Sequence, residues 1–142
     1  MGRRSGRHAT EQMILVDTSV WIDYFNGINS AATDRLDNAL SNDIVAIGDL
    51  IALEILQGFK TNNDYKQARK IIESLTCFDM LGQKSVTACA ENYRALRKKG
   101  ITIRKTADVI IATYCIENSL PLLFTDKDFL PFVEHLKLVS AI

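Results

Sequence analysis

Four acidic residues follow or interrupt apolar runs: Asp17 after ILV, Glu54 within LIALEIL, Asp108 within TADVIIA and Asp126 after LLFT. Carboxylates brought together repel. Two unit charges about 5 Å apart at an effective dielectric near 20 cost roughly 3 kcal/mol, so four in one crevice call for a cation among them. Oxygen-only ligands select Mg²⁺ or Mn²⁺ over zinc or copper. The only two histidines are His8 and His135, the second reading as a surface residue of the last helix. A histidine zinc site or a Ser-His-Asp triad therefore has little support.

Each acid also has a purely structural use. Asp17 can cap the helix that starts after it, and Asp108 lies in a first helical turn, where negative charge suits the helix dipole. Asp126 can cap a short final helix, with Thr125 as its competitor. Glu54 is harder to explain this way. Its helical neighbours are Leu50, Ile51 and Gly58, and no Lys or Arg occurs between Arg35 and Lys60. A carboxylate on an apolar face is costly to bury without a partner. Asp49 and Asp128 are intermediate cases; Asp128 either supports the site or favours the short helix. Asp23, Asp34, Asp37, Asp43, Glu73, Glu91 and Glu134 read as solvated charge.

The elements that must position these acids alternate. Met13–Val16 reads as a buried strand, with Thr18 and Ser19 offering capping hydroxyls to a helix through VWIDYF that ends at Asn26-Gly27. Helices are expected over Ala31–Leu40, Leu50–Phe59 and Asp64–Leu75, the last with Tyr65, Ala68, Ile71, Ile72 and Leu75 on one face. Strands are expected at Ile44–Ile47, Cys77–Met80 and Leu122–Phe124. Another helix should bury Val86, Cys89, Ala90, Tyr93 and Leu96 and stop at Gly100. Thr106 can cap a helix to Glu117, and a short helix and strand close the chain. The pattern predicts a single α/β domain, three-layered, with a mostly parallel sheet and helices on both faces. In such a sheet, residues past the carboxyl ends of neighbouring strands share one crevice.

The 142 residues suit one domain, and 47% apolar and 24% charged residues are ordinary for a soluble protein. Formal net charge is +0, so a nucleic-acid partner must be argued from local charge. The three cysteines, Cys77, Cys89 and Cys115, lack CxxC spacing and read as buried reduced thiols. No run of about 18 apolar residues suggests a membrane span, and the expected compartment is the cytoplasm. The basic residues 1–12 lack the apolar stretch of a secretory signal. They read as a tail, an upstream start or an appended remnant, leaving the domain at 13–142.

Local charge is concentrated between Tyr93 and Thr106, where Arg94, Arg97, Lys98, Lys99, Arg104 and Lys105 occur with no acid. A basic strip running into an acidic metal site suits phosphodiester chemistry, with cations holding phosphates beside the metal. An ordinary solvated helix end is the alternative. Trp21, Tyr24 and Phe25 could stack on bases, but their spacing favours core packing.

Taken together, VDTSVWIDYF, LIALEILQGF, TADVIIATYC and LFTDKDF resemble the PIN-domain ribonucleases, specifically the toxins of VapBC-type toxin–antitoxin modules, from Met13 to about Leu138. The resemblance maps the family's acidic positions onto Asp17, Glu54, Asp108 and Asp126, and its Asp-x-Ser pattern onto Asp17-Thr18-Ser19. TDKDF offers two aspartates, of which Asp126 follows the strand more directly. The implied activity is metal-dependent endonucleolytic cleavage of cellular RNA, often tRNA, which halts translation. Asp17, Asp108 and Asp126 would hold Mg²⁺ or Mn²⁺ directly or through waters, Glu54 would hold a bound water or a second ion and could take the water's proton, and Ser19 would orient a carboxylate or a capping amide. Arg94, Arg97 and Arg104 are the residues expected to bind substrate. A homodimer and a cognate VapB-type antitoxin are implied partners.

Three other readings stay open. A haloacid-dehalogenase-type phosphotransferase needs an aspartate where Ser19 stands. A receiver domain expects paired acids at the first strand and a phosphoacceptor ending the third, near which lies Asp79. A non-catalytic RNA- or protein-binding domain of the same fold would not need all four acids.

Overall fold

The computed structural model describes residues 12–142; His8 and the other residues of the expected tail up to 11 lie outside them. Gln12, the last residue of that tail, is hydrogen-bonded to the domain that follows. Its carbonyl accepts from the Ile44 N–H at 3.0 Å, and its own N–H donates to Asp43 at 3.3 Å.

Strand β1 (Met13–Val16) is the run ahead of Asp17. Ile14, Leu15 and Val16 are each 0% exposed, the two-sided burial of an inner strand in a parallel sheet. Beside it run β2 (Ile44–Gly48), β3 (Thr76–Phe78) and β4 (Leu122–Leu123) in the order β3-β2-β1-β4. All three pairings are parallel, with Leu15 opposite both Ala46 and Leu122. The chain lays β2 and β3 on one side of β1 and then crosses to place β4 on the other. That reversal opens a crevice beyond the carboxyl ends of β1 and β4. The expected closing strand is reduced to a single bridge between Leu122 and Ser140.

Seven α-helices occur among the described residues: α1 (Thr18–Phe25), α2 (Ala31–Asn42), α3 (Asp49–Gln57), α4 (Asn62–Glu73), α5 (Gln83–Lys98), α6 (Thr106–Glu117) and α7 (Leu130–Leu136). Helix α1 packs on α2 and α3, and α3 on α4; α5 packs on α6 and α7. These two groups form the outer layers of the α/β/α sandwich. Trp21, fully buried, stacks on Phe25 at 5.7 Å and meets Tyr24 edge-on, so this trio is core rather than a base platform. Helix α5 ends as expected at Gly100, whose φ of 83° is a conformation that other residues adopt only with strain.

Several local expectations are corrected. Neither Thr18 nor Ser19 caps α1; the N-cap is Asp17, and both hydroxyls bond carboxylates instead. Thr106 is the first residue of α6 and not its cap, a place taken by Lys105 without a side-chain bond. In α5 only Cys89 and Leu96 are buried, whereas Val86 is 53% exposed and Ala90 is also open. This helix covers the domain with half the face its pattern suggested, leaving the rest over a groove. Cys77 is exposed while Cys89 and Cys115 are buried, because β3 is a short edge strand open to solvent. Burial pushes the Cys115 thiol up to about 12, as expected of an inert core thiol.

The turn from β2 into α3 is held from both sides. Asp49 Oδ1 accepts from the Leu50 N–H at 2.8 Å and from the Met80 N–H at 3.1 Å. A Cβ on Gly48 would overlap the buried Met80 side chain. Gly48→Ala is therefore expected to destabilise the fold by roughly 1–3 kcal/mol, the scale of an overpacked core, read as a lowered thermal midpoint by circular dichroism.

Candidate active site

Asp17 stands where β1 runs out. Its N–H donates to the Leu123 carbonyl of β4 at 2.9 Å, so the parallel ladder itself carries this residue to the mouth of the crevice. Its side chain is buried at 5% exposure, and Oδ2 accepts from the Ser19 hydroxyl at 3.2 Å. Ser19 Oγ also lies 3.3 Å from Thr125 Oγ1, a hydroxyl bridge from the end of β1 to the end of β4. Burial pushes the Asp17 carboxyl up to about 6; the Thr18 backbone amide and the Ser19 hydroxyl oppose this, and the charge of Glu54 adds to it.

The partner that the Glu54 neighbourhood lacked in sequence comes from α1. Thr18 Oγ1 donates to Glu54 Oε1 at 2.7 Å, and Glu54 is half-buried. A short bond to a charged acceptor is among the stronger hydrogen bonds. It ties the helix after β1 to the helix after β2 and fixes the carboxylate beside Asp17.

Asp108 occupies the first turn of α6 and is 6% exposed. Its Oδ2 is buried without a hydrogen-bond partner. Burial first, then the charges of Asp17 and Asp126, push its carboxyl up to about 6, while Lys105 pulls the other way. Asp126 caps the 3₁₀ turn Lys127–Phe129, its Oδ1 accepting from the Asp128 N–H at 2.9 Å, so Asp126 prevails over Thr125 as the cap. One carboxylate oxygen from each of Asp108, Asp126 and Asp128 lies within 4.8 Å of the others.

Of the four acids read from sequence, Asp108 and Asp126 are thus in one tight group. Asp17 lies outside that group but acts on Asp108 through its charge, and Glu54 in turn acts on Asp17. Asp128 joins the group as an additional member; its signal was its spacing two residues from Asp126. An unpartnered buried carboxylate oxygen among like charges is unstable without a counter-ion. The oxygen-only donor set therefore fits a hard divalent cation.

The basic stretch divides in two. Arg104 reaches Asp128 Oδ2 at 3.2 Å, and Lys105 reaches Asp126 Oδ2 at 3.7 Å. Arg94 and Arg97 line a groove of about 490 Å³ between α5 and α6 that also takes in Val86, Tyr93 and Thr106. Arg97 lies over the Tyr93 ring at 5.5 Å. Lys105, not singled out from sequence as a site residue, was detectable only as the last cation before the helix that carries Asp108.

A parallel α/β domain with carboxylates collected at the switch point of its sheet defines an acidic-crevice protein. The chain belongs to the PIN domain family, whose model matches residues 14–132. It is 32% identical over 119 residues to the VapC ribonuclease Mb1587 of Mycobacterium bovis, covering 82% of this chain and 89% of that one. To ribonuclease VapC1 of Methanocaldococcus jannaschii it is 31% identical over 117 residues, covering 82% and 78%. Among solved structures, VapBC2 from Rickettsia felis bound to a promoter DNA fragment matches at TM-score 0.72 and 20% identity, over 91% of this chain and 97% of that one. A toxin–antitoxin complex from Klebsiella pneumoniae matches at TM-score 0.63 and 20% identity, over 89% and 96%. At those identities the two structures bear on the fold alone.

The raised carboxyls carry a stability consequence. A carboxyl whose folded pKa lies above its unfolded value binds more protons when folded, so stability falls as pH rises from about 4 to about 6. Asp108→Asn removes that penalty. With EDTA present, the variant is expected to melt above wild type at pH 7, by an amount on the order of 1–3 kcal/mol, and the difference should shrink towards pH 4. A constant difference across that range would overturn the assignment.

Proposed function

We infer that this chain is a divalent-cation-dependent endoribonuclease, the toxin of a toxin–antitoxin pair, hydrolysing RNA in the crevice beyond β1 and β4. The observation that carries the reading is the buried, unpartnered Oδ2 of Asp108 within the Asp108–Asp126–Asp128 group. Family membership and curated relatives named as ribonucleases support it, and displace the phosphotransferase and receiver readings.

Asp108 and Asp126, with Asp128 in the same tight group and Asp17 beside it, would hold the cation, Mg²⁺ or Mn²⁺. When bound, such an ion activates water and stabilises the charge that builds on the phosphate oxygens. The chain's own residues do the remainder. Ser19 holds Asp17 in place, and Glu54, fixed by Thr18, accepts the proton of the attacking water. Arg94, Arg97 and Arg104 hold the RNA backbone, and the cut leaves a 5′-phosphate and a 3′-hydroxyl.

Cellular RNA as substrate supports a cytoplasmic location. No helix among the described residues is long and apolar enough to cross a membrane. The cognate partner is a VapB-type antitoxin, in line with the VapBC complexes that share the fold. A homodimer has a surface suited to it: Leu53, Leu81 and Val86 are 58%, 49% and 53% exposed and flank a pair of adjoining grooves that share Leu81 and Ile110. Exposed apolar patches of this kind mark association surfaces.

Purified protein with Mg²⁺ or Mn²⁺ is expected to cut total bacterial RNA into discrete fragments, and EDTA should abolish this. Asp17→Asn should slow cleavage about 10²–10³-fold, the effect of losing one strong electrostatic contact; full activity in that variant sinks the mechanism. Metal-independent behaviour with RNA bound but uncut would favour a non-catalytic binding domain. For the dimer, Leu81→Asp with Val86→Asp should halve the mass seen by light scattering, and an unchanged mass rules out this face.

A further inference from the structure

Between α5 and α6 the chain runs through Ile101–Lys105 without helix or strand. Ile103 is its anchor, buried at 6% exposure. The two cations that follow are left outside: the Arg104 and Lys105 side chains are 78% and 60% exposed, yet each ends on an acid of the crevice. Their acceptors, Asp128 and Asp126, are two of the three members of the tight carboxylate group. These basic side chains thus sit on two of the three carboxylates that a divalent cation would use.

Three features make that occupancy exchangeable. Ion pairs this open to solvent contribute only about 0–1 kcal/mol, so little resists their opening. A compact divalent ion among three carboxylates repels an ammonium or guanidinium held at the same carboxylates. Long, exposed side chains on a segment anchored at Ile103 can turn outward without disturbing the core, and once turned they present two positive charges beside the crevice. Phosphodiester oxygens are suitable acceptors for both.

We propose that Arg104 and Lys105 are tethered counter-cations that exchange between Asp128 and Asp126 and the phosphates of bound RNA, so that divalent-cation binding and RNA binding reinforce one another. This rests on the cation-dependent reading above. Coupling of this kind is reciprocal: whatever factor the metal adds to RNA affinity, RNA adds to metal affinity. It also gives Arg104 and Lys105 an unusual signature, since they oppose metal binding while favouring substrate.

The test is a calorimetric titration of Mn²⁺ into RNA-free wild type, an Arg104→Gln/Lys105→Gln variant, and a Lys98→Gln/Lys99→Gln control. The control removes the same charge from the end of α5, where Lys98 and Lys99 line a separate groove with Glu91. The first variant is expected to bind Mn²⁺ roughly tenfold more tightly than wild type, with the control unchanged. Equal or weaker binding by the first variant overturns the exchange, as does equal tightening in the control, which would make the effect one of bulk charge. Wild type that binds no Mn²⁺ defeats the cation-dependent reading itself, a distinct outcome. In a second arm, fluorescence anisotropy follows a single-stranded DNA dodecamer, used as a phosphodiester probe. Wild type should hold it more tightly with Mn²⁺ than with EDTA, and the Arg104→Gln/Lys105→Gln variant should lose that gain. A gain fully retained overturns the phosphate half of the proposal.

Discussion

The hydrogen bond from the Asp17 N–H to the Leu123 carbonyl, 2.9 Å long, joins parts of the chain more than 100 residues apart and sets the geometry of everything around it. Because β1 and β4 are parallel neighbours, their carboxyl ends lie at the same edge of the sheet. The chain leaves β1 as Asp17 and leaves β4 towards Asp126. No local preference brings these residues together; the crossover from β3 to the far side of β1 does. The Ser19–Thr125 hydroxyl contact repeats the same junction with side chains. Closing so long a connection is entropically expensive, and the buried apolar β1, with its neighbours on both sides, offsets that cost.

The junction is held together against a local penalty. Burial and neighbouring charge raise both Asp17 and Asp108, so at neutral pH the fold maintains ionised carboxylates that it does not fully satisfy. Strain of this sort persists where surrounding structure imposes it. Here the β1–β4 ladder imposes Asp17, and the start of α6 imposes Asp108. The favourable end of the α6 dipole lessens the cost for Asp108, but it does not supply the missing partner of Oδ2. The features that make the crevice receptive to a cation are therefore the same ones that make it costly without one.

The order of elements was legible because each apolar run has a clear period and a clear stop: ILV before Asp17, IVAI before Gly48, the long α5 ending at Gly100. The acids at strand ends were legible for the same reason, since the topology of a parallel sheet assigns them an edge. What sequence did not reveal depended on contacts between segments far apart. Thr18 looked like a cap until α3 brought Glu54 to it. Asp128 gained its place through the 3₁₀ turn, which sets its oxygen near Asp108. Val86 and Ala90 had the right spacing for core and lack a neighbour to cover them. Cys77 sits among apolar residues in the chain and on an open edge in space.

The Thr18–Glu54 bond shows how carboxylates carried by two different elements are kept on one crevice wall. Asp17 is fixed by the sheet, whereas Glu54 hangs from α3, and α3 is positioned by Gly48, Met80 and the two amides held by Asp49. Without a tie between α1 and α3, the Glu54 side chain would retreat from Asp17, because like charges part when either can move. Thr18 opposes that retreat by donating to Glu54 from the residue next to Asp17. A single hydroxyl thus holds two mutually repelling carboxylates on one crevice wall, and the β2–α3 turn, remote from the acids, becomes part of the machinery that positions them.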